Sequence, residues 1–249
     1  MKALAGKVAL VTGSSKGIGA GIAIMFAAAG ARVVVNYLYD EVGAEDVVSD
    51  IVAAGGEAIA VQADISRAEH VKRLFAVAFA EYGKPDIVVN NAGMFHQAPF
   101  SNITEAEMQQ QFAVNVFGTL LVSQQAVEYF GDGGGCIINL SAVSSKNVAP
   151  GAVLYAATKG AIDSITQGLS RELGPKNIRV NAIAPGCIIT EGLLASQMLK
   201  PEFKAQLIAM TPLGRFGIPE DVARVALFLA SEEATYVSGE RLLTSGGWR

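Results

Sequence analysis

Short apolar runs rich in β-branched residues recur along this 249-residue chain, each followed by a longer stretch with helical character. The runs cover residues 8–12, 32–36, 58–62, 87–90, 136–140, 179–184 and 241–243. They are apolar at successive positions rather than alternate ones, so each would bury both faces, as strands of a parallel sheet do. Between them lie alanine-rich segments such as 20–29 and 68–82. Thr104 and Glu107 form a capping-box pattern, and Pro219 followed by Glu220 and Asp221 opens another helix. This βαβα alternation predicts an α/β fold, a Rossmann-type doubly wound parallel sheet of about seven strands with helices on both faces.

Composition narrows the class. Half of the residues are hydrophobic and only 17% are charged, enough apolar side chain to fill a large core. No linker or repeat divides the chain, so residues 1–249 are expected to form one domain. A net charge of −4 without a Lys/Arg run argues against nucleic acid as a partner. The apolar run near the N-terminus is short and broken by glycine, which points to a cytoplasmic protein without a membrane partner. Cys136 and Cys187 stand in no metal-ligand pattern, and no metal site is expected.

The first strand runs into VTGSSKGIG, with Gly13, Gly17 and Gly19 in the spacing G-x-x-x-G-x-G. Glycines between a first strand and a first helix let backbone approach a diphosphate. The helix N-terminus then offers N–H groups and partial positive charge. The segment Gly13, Ser14, Ser15, Lys16, Gly17, Ile18, Gly19 is therefore expected to bind a dinucleotide. No Lys-Ser/Thr pair follows the last glycine, which excludes a P-loop.

The second strand ends in Asn36 and Tyr37, where dinucleotide folds usually carry an acid for the adenosine ribose; Asp40 comes three positions later. With no carboxylate at the strand tip and with Ser14, Ser15 and Lys16 as donors to a 2′-phosphate, the expected cofactor is NADPH rather than NADH.

Tyr155 and Lys159 are four positions apart and share one helix face. A phenol ordinarily titrates near pH 10, and an adjacent ammonium would lower that value and make it a usable acid. Taken with TGSSKGIG, NNAG at 90–93, Asn115, YAATK and RVNAIAPG at 179–186, the sequence resembles the short-chain dehydrogenase/reductase family over nearly its whole length.

That resemblance implies roles. Tyr155 would protonate a carbonyl oxygen during reduction, and Lys159 would hold the nicotinamide ribose. Asn115 would position a water linking Lys159 to solvent. Asp64 and Ile65 would touch the adenine, while Asn91, Ala92 and Gly93 would line the cofactor cleft. Pro185, Gly186, Ile188 and Thr190 would embrace the nicotinamide. The family's serine usually lies thirteen residues before the tyrosine, which here is Ala142, and in some members fourteen, which is Ser141. Ser141 is the favoured reading, since loops absorb one residue cheaply; Ser144 is the alternative, and outright loss of the serine the third.

The expected activity is hydride transfer from NADPH to a ketone or 3-oxoacyl-type carbonyl. The alternative is a cofactor-binding sensor or scaffold with little turnover. Residues 187–217, with Leu193, Leu194, Met198 and Met210, would form a substrate flap, and Met94, Phe95 and His96 would border an apolar pocket. Phe112, Val116, Phe117, Val153, Leu154 and Ile162 mark two helices that relatives pair across a two-fold axis, so a homotetramer is expected.

Overall fold

A computed structural model describes residues 2–195 and 201–249. Seven strands form one parallel sheet: β1 (Val8–Val11), β2 (Arg32–Tyr37), β3 (Glu57–Gln62), β4 (Ile87–Asn90), β5 (Gly135–Leu140), β6 (Ile178–Pro185) and β7 (Arg241–Thr244). Their spatial order is β3-β2-β1-β4-β5-β6-β7. The chain winds outward from β1 in one direction, returns, and winds outward from β4 in the other. That reversal opens a crevice at the carboxyl ends of β1 and β4, where the glycine turn and NNAG emerge.

The strand sequences explain the layering. Ala9 and Val11 join one buried cluster with Phe26, Ile51 and Leu229, and Leu10 joins another with Phe75, Val122 and Phe130. Adjacent residues point to opposite faces of a strand, so both faces need apolar side chains. The first layer uses α1 (Gly17–Ala28), α2 (Glu41–Ala53) and α9 (Pro219–Ala230); the second uses α3 (Ala68–Tyr82), α5 (Thr119–Phe130) and the far end of α6 (Val153–Leu173). The strands expected from sequence are all present, with ends differing by one residue at most.

Before α5 comes α4 (Glu105–Phe112), which begins with the expected capping box. Thr104 Oγ1 accepts from Glu107 N at 3.3 Å, and Glu107 Oε2 accepts from Thr104 N at 2.7 Å. Between α4 and α5 the helix widens into a π turn over Ala113–Gly118. After β6 the chain forms α7 (Glu191–Ala195) and α8 (Pro201–Ala209). The two stems of this segment meet in a parallel bridge between Ile188 and Gly217. Met198 lies outside the described residues. Among those residues, no helix is long and apolar enough to cross a membrane, and no cluster of His, Cys, Asp or Glu could hold a metal ion.

Candidate active site

A cleft of about 650 Å³ lies at the crevice. It is lined by Gly13, Ser15, Lys16, Gly17, Ile18, Gly19, Asn36, Tyr37, Asp64, Ile65, Asn91, Ala92, Gly93 and Thr190, which sequence reading had drawn from separate stretches of chain.

The glycines of its floor are demanded by close approach. A Cβ on Gly13 would come within 2.8 Å of Ala92 Cα, and Gly13 and Gly17 both have φ +59°. A Cβ on Gly19 would collide with Asn91 Nδ2 and Gly13 O. Asn91 in turn donates from Nδ2 to Thr12 O at 2.9 Å and to Gly13 O at 2.8 Å. The buried Thr12 hydroxyl accepts from the N–H groups of Asn91 and Ala92, each at 3.0 Å. Thr12 thus ties the glycine turn to NNAG, a role that sequence reading missed because a threonine ending a strand carries no distinctive signal. No side chain caps α1 at Lys16, but Glu191 Oε2 accepts from Gly17 N at 3.0 Å. An anionic oxygen therefore already sits where a diphosphate would be received. The bare-backbone cradle and its anion preference fit a dinucleotide.

At the adenosine end, Asn36 is fully involved in structure. Its amide donates to Val61 O and Ala63 O, and its oxygen accepts from Gly13 N at 3.2 Å. Asp64 Oδ1 accepts from the hydroxyl and the N–H of Ser66. The three expected phosphate donors are differently disposed. Ser14 is buried and donates to Val11 O at 2.7 Å, which corrects its assignment as a donor into the cleft. Lys16 Nζ lies 3.0 Å from Asp40 Oδ2. The Tyr37 hydroxyl donates to Glu41 Oε1 at 3.2 Å, and burial pushes its pKa up.

The reacting end is built from α6, the π turn and the end of β5. Tyr155 and Lys159 share a face as expected, with Lys159 Nζ 5.5 Å from the Tyr155 ring centroid. Lys159 is buried and donates to Leu140 O at 2.7 Å. Desolvation lowers its pKa to about 8, against the opposing pull of Asp163. Burial pushes the Tyr155 phenol up to about 12. This reverses the expectation that the ammonium would lower it. At this separation the lysine, held by a carbonyl, does not outweigh desolvation of a phenolate.

Asn115 sits in the π turn. Its Oδ1 accepts from Met94 N at 2.8 Å, and its Nδ2 donates to Met94 O and Thr158 Oγ1. Gly93 leaves the gap between Asn115 and Lys159 open: a Cβ there would lie 3.3 Å from Asn115 Oδ1 and 3.7 Å from Lys159 Nζ. Phe95 packs edge-on against Tyr155 with centroids 4.8 Å apart, while His96 leaves the cleft to pair with Glu107 at 2.8 Å.

The serine question takes a definite form. Ser141 is buried, and its hydroxyl donates to Asp163 Oδ1. Ser145 donates to the other oxygen of Asp163 at 2.6 Å. Arg241 Nε lies 3.1 Å from Asp163 Oδ2, close enough for an ion pair but not aligned as a hydrogen bond. None of the described hydrogen bonds joins a serine of this segment to Tyr155. Asp163 was legible only as the next polar residue, four beyond Lys159, on the same helix face. Among the expected nicotinamide contacts, Thr190 lines the cleft and Pro185 ends β6. Gly186 packs on Ser245, where a Cβ would lie 2.9 Å from Ser245 Cα. Ile188 is buried in the core beneath the flap stems.

Known proteins agree with this architecture. Residues 13–249 match the family model described as enoyl-(acyl carrier protein) reductase. An uncharacterised oxidoreductase of Methylorubrum extorquens is 47% identical over the full length of both chains. A 3β-hydroxysteroid dehydrogenase of Eggerthella lenta is 43% identical over 98% of this chain and 94% of its own. Among solved structures, a short-chain dehydrogenase/reductase of Serratia marcescens superposes with a TM-score of 0.93 at 35% identity, covering 99% of each chain. With a switch-point cradle, a Tyr155–Lys159 face and relatives matched end to end, the chain belongs to the short-chain dehydrogenase/reductase family and is an oxidoreductase.

Proposed function

We propose that the protein reduces a ketone or 3-oxoacyl-type carbonyl to an alcohol, with NADPH as the preferred cofactor. The observation that carries this reading is the placement of Tyr155, whose hydroxyl has no hydrogen-bond partner among the described residues and whose ring stands 5.5 Å from Lys159 Nζ. The bound nicotinamide supplies the hydride. Tyr155 donates the proton to the carbonyl oxygen. Lys159 offsets the charge that develops on the phenol and holds the ribose. Asn115 braces the NNAG loop through Met94, so that Gly93 keeps the floor of the reacting site clear.

Ser144 is the hydroxyl best suited to contact the substrate oxygen. It is partly exposed and makes no side-chain hydrogen bond among the described residues, whereas Ser141 is held by Asp163. The edge-on Phe95 ring, half-exposed beside Tyr155, favours a substrate with a broad apolar ring system. A relative named for a hydroxysteroid fits that preference. The 187–217 segment would close over such a substrate, and a homotetramer would be the working form.

NADPH and NADH oxidation with a panel of cyclic, aromatic and 3-oxoacyl ketones tests this directly. Tyr155→Phe should lower the rate about 10²–10⁴-fold while the dinucleotide still binds. Ala142 at the usual serine position favours a second reading, a cofactor-binding sensor. NADPH binding without turnover on any ketone would select it.

A further inference from the structure

The groups that would receive a 2′-phosphate are already gathered around a carboxylate. Lys16 Nζ lies 3.0 Å from Asp40 Oδ2. The Ser15 side chain makes a smaller contribution to holding the Asp40 carboxyl low. Asp40 Oδ1 caps α2 by accepting from Gly43 N at 3.2 Å. These contacts hold its carboxyl below the usual range, the Lys16 bond foremost. Ser15, Lys16 and Asp40 all line the cleft, with Tyr37 beside them. Ser14, the remaining donor expected from sequence, is turned into the fold.

We infer that Asp40 is a specificity-determining residue: its carboxylate stands in for the 2′-phosphate and sets how strongly the chain prefers the phosphorylated dinucleotide. An incoming 2′-phosphate must take Lys16 from Asp40 and then lie near a like charge. A ribose bearing a free 2′-hydroxyl leaves the pair intact and can donate to the same carboxylate. Asp40 therefore narrows the NADPH preference that Lys16 would otherwise produce. The inference rests on the cofactor reading proposed above.

Capping and charge can be separated, because asparagine and serine cap a helix about as well as aspartate. Calorimetric titration with adenosine 2′,5′-bisphosphate and with 5′-AMP reads the subsite without any turnover. In Asp40→Asn, the ratio of the two dissociation constants should shift about fivefold towards the bisphosphate at low salt, an exposed pair being partly screened. Asp40→Ser should shift it the same way, so a folding defect in one variant leaves the other to decide. NADPH/NADH ratios of kcat/KM should follow. If both nucleotides bind but their ratio stays fixed in both variants, Asp40 is a cap only and the inference fails while the cofactor reading stands. If the unmodified chain binds neither nucleotide, both are overturned.

Discussion

Tyr155 and Lys159 have their pKa values driven apart by the same cause, loss of water. Burial raises the phenol to about 12 and lowers the ammonium to about 8. Between those values the free chain would hold a neutral phenol beside a lysine that has largely given up its charge. The alkaline limb of kcat/KM for reduction therefore belongs to Lys159. The rate should fall through about pH 8 as the ammonium deprotonates. Lys159→Arg should remove that limb below pH 10, because a guanidinium keeps its proton there. A profile of the unmodified chain that stays flat to pH 10 would assign the limb elsewhere. The spacing of Tyr155 and Lys159 was legible in the sequence, but the direction of the phenol's shift was not. It depends on how the chain packs around a ring that stays partly exposed, and on Leu140 O holding the ammonium.

At the scale of elements, β5 and α6 are joined by a polar clasp. Asp163 on α6 receives Ser141 and Ser145 from the end of β5 and the turn beyond it, with Arg241 of β7 alongside. The clasp holds the face that carries Lys159 against the sheet. Ser141→Ala should then cost about 1–2 kcal/mol in a urea titration, with a modest change in kcat. Ser144→Ala should lower kcat by about 10²-fold and leave the urea midpoint where it was. The reverse pattern would return the reacting-oxygen role to Ser141. Sequence spacing alone could not decide between these serines, since each lies within one loop of the tyrosine. The orienting partner, Asp163, is eighteen or more residues away. Elements themselves were legible because each strand is apolar on both faces and each glycine turn sits at a strand end. The π turn was not, because one extra residue in a helix leaves no mark on the apolar pattern of Val114, Val116 and Phe117.

For the whole molecule, the chain's own core absorbs part of the surface expected to pair copies. Val116, Leu154 and Ile162 are buried within the chain, whereas Phe117 is 56% and Val153 43% exposed. Met108 on α4 and Phe100 before it are exposed as well. A tetramer would be held on one axis by this smaller set, and Phe117→Glu should split it, read as a fall in mass by light scattering. A monomeric mass for the unmodified chain at micromolar concentration would defeat that assembly.

Glu191 resting on the N–H of Gly17 gives the glycine cradle a tenant of its own. A dinucleotide reaching that helix end meets a tethered rival whose local concentration does not change with dilution. Cofactor capture would then be an exchange of one acceptor for another at the Gly17 N–H, with the Glu191 carboxyl placed to return on release. Because Glu191 opens α7, three residues beyond the Ile188–Gly217 bridge, a dinucleotide that displaced its carboxylate would also disturb the first turn of that helix. Nucleotide loading would then be felt at the segment that follows β6.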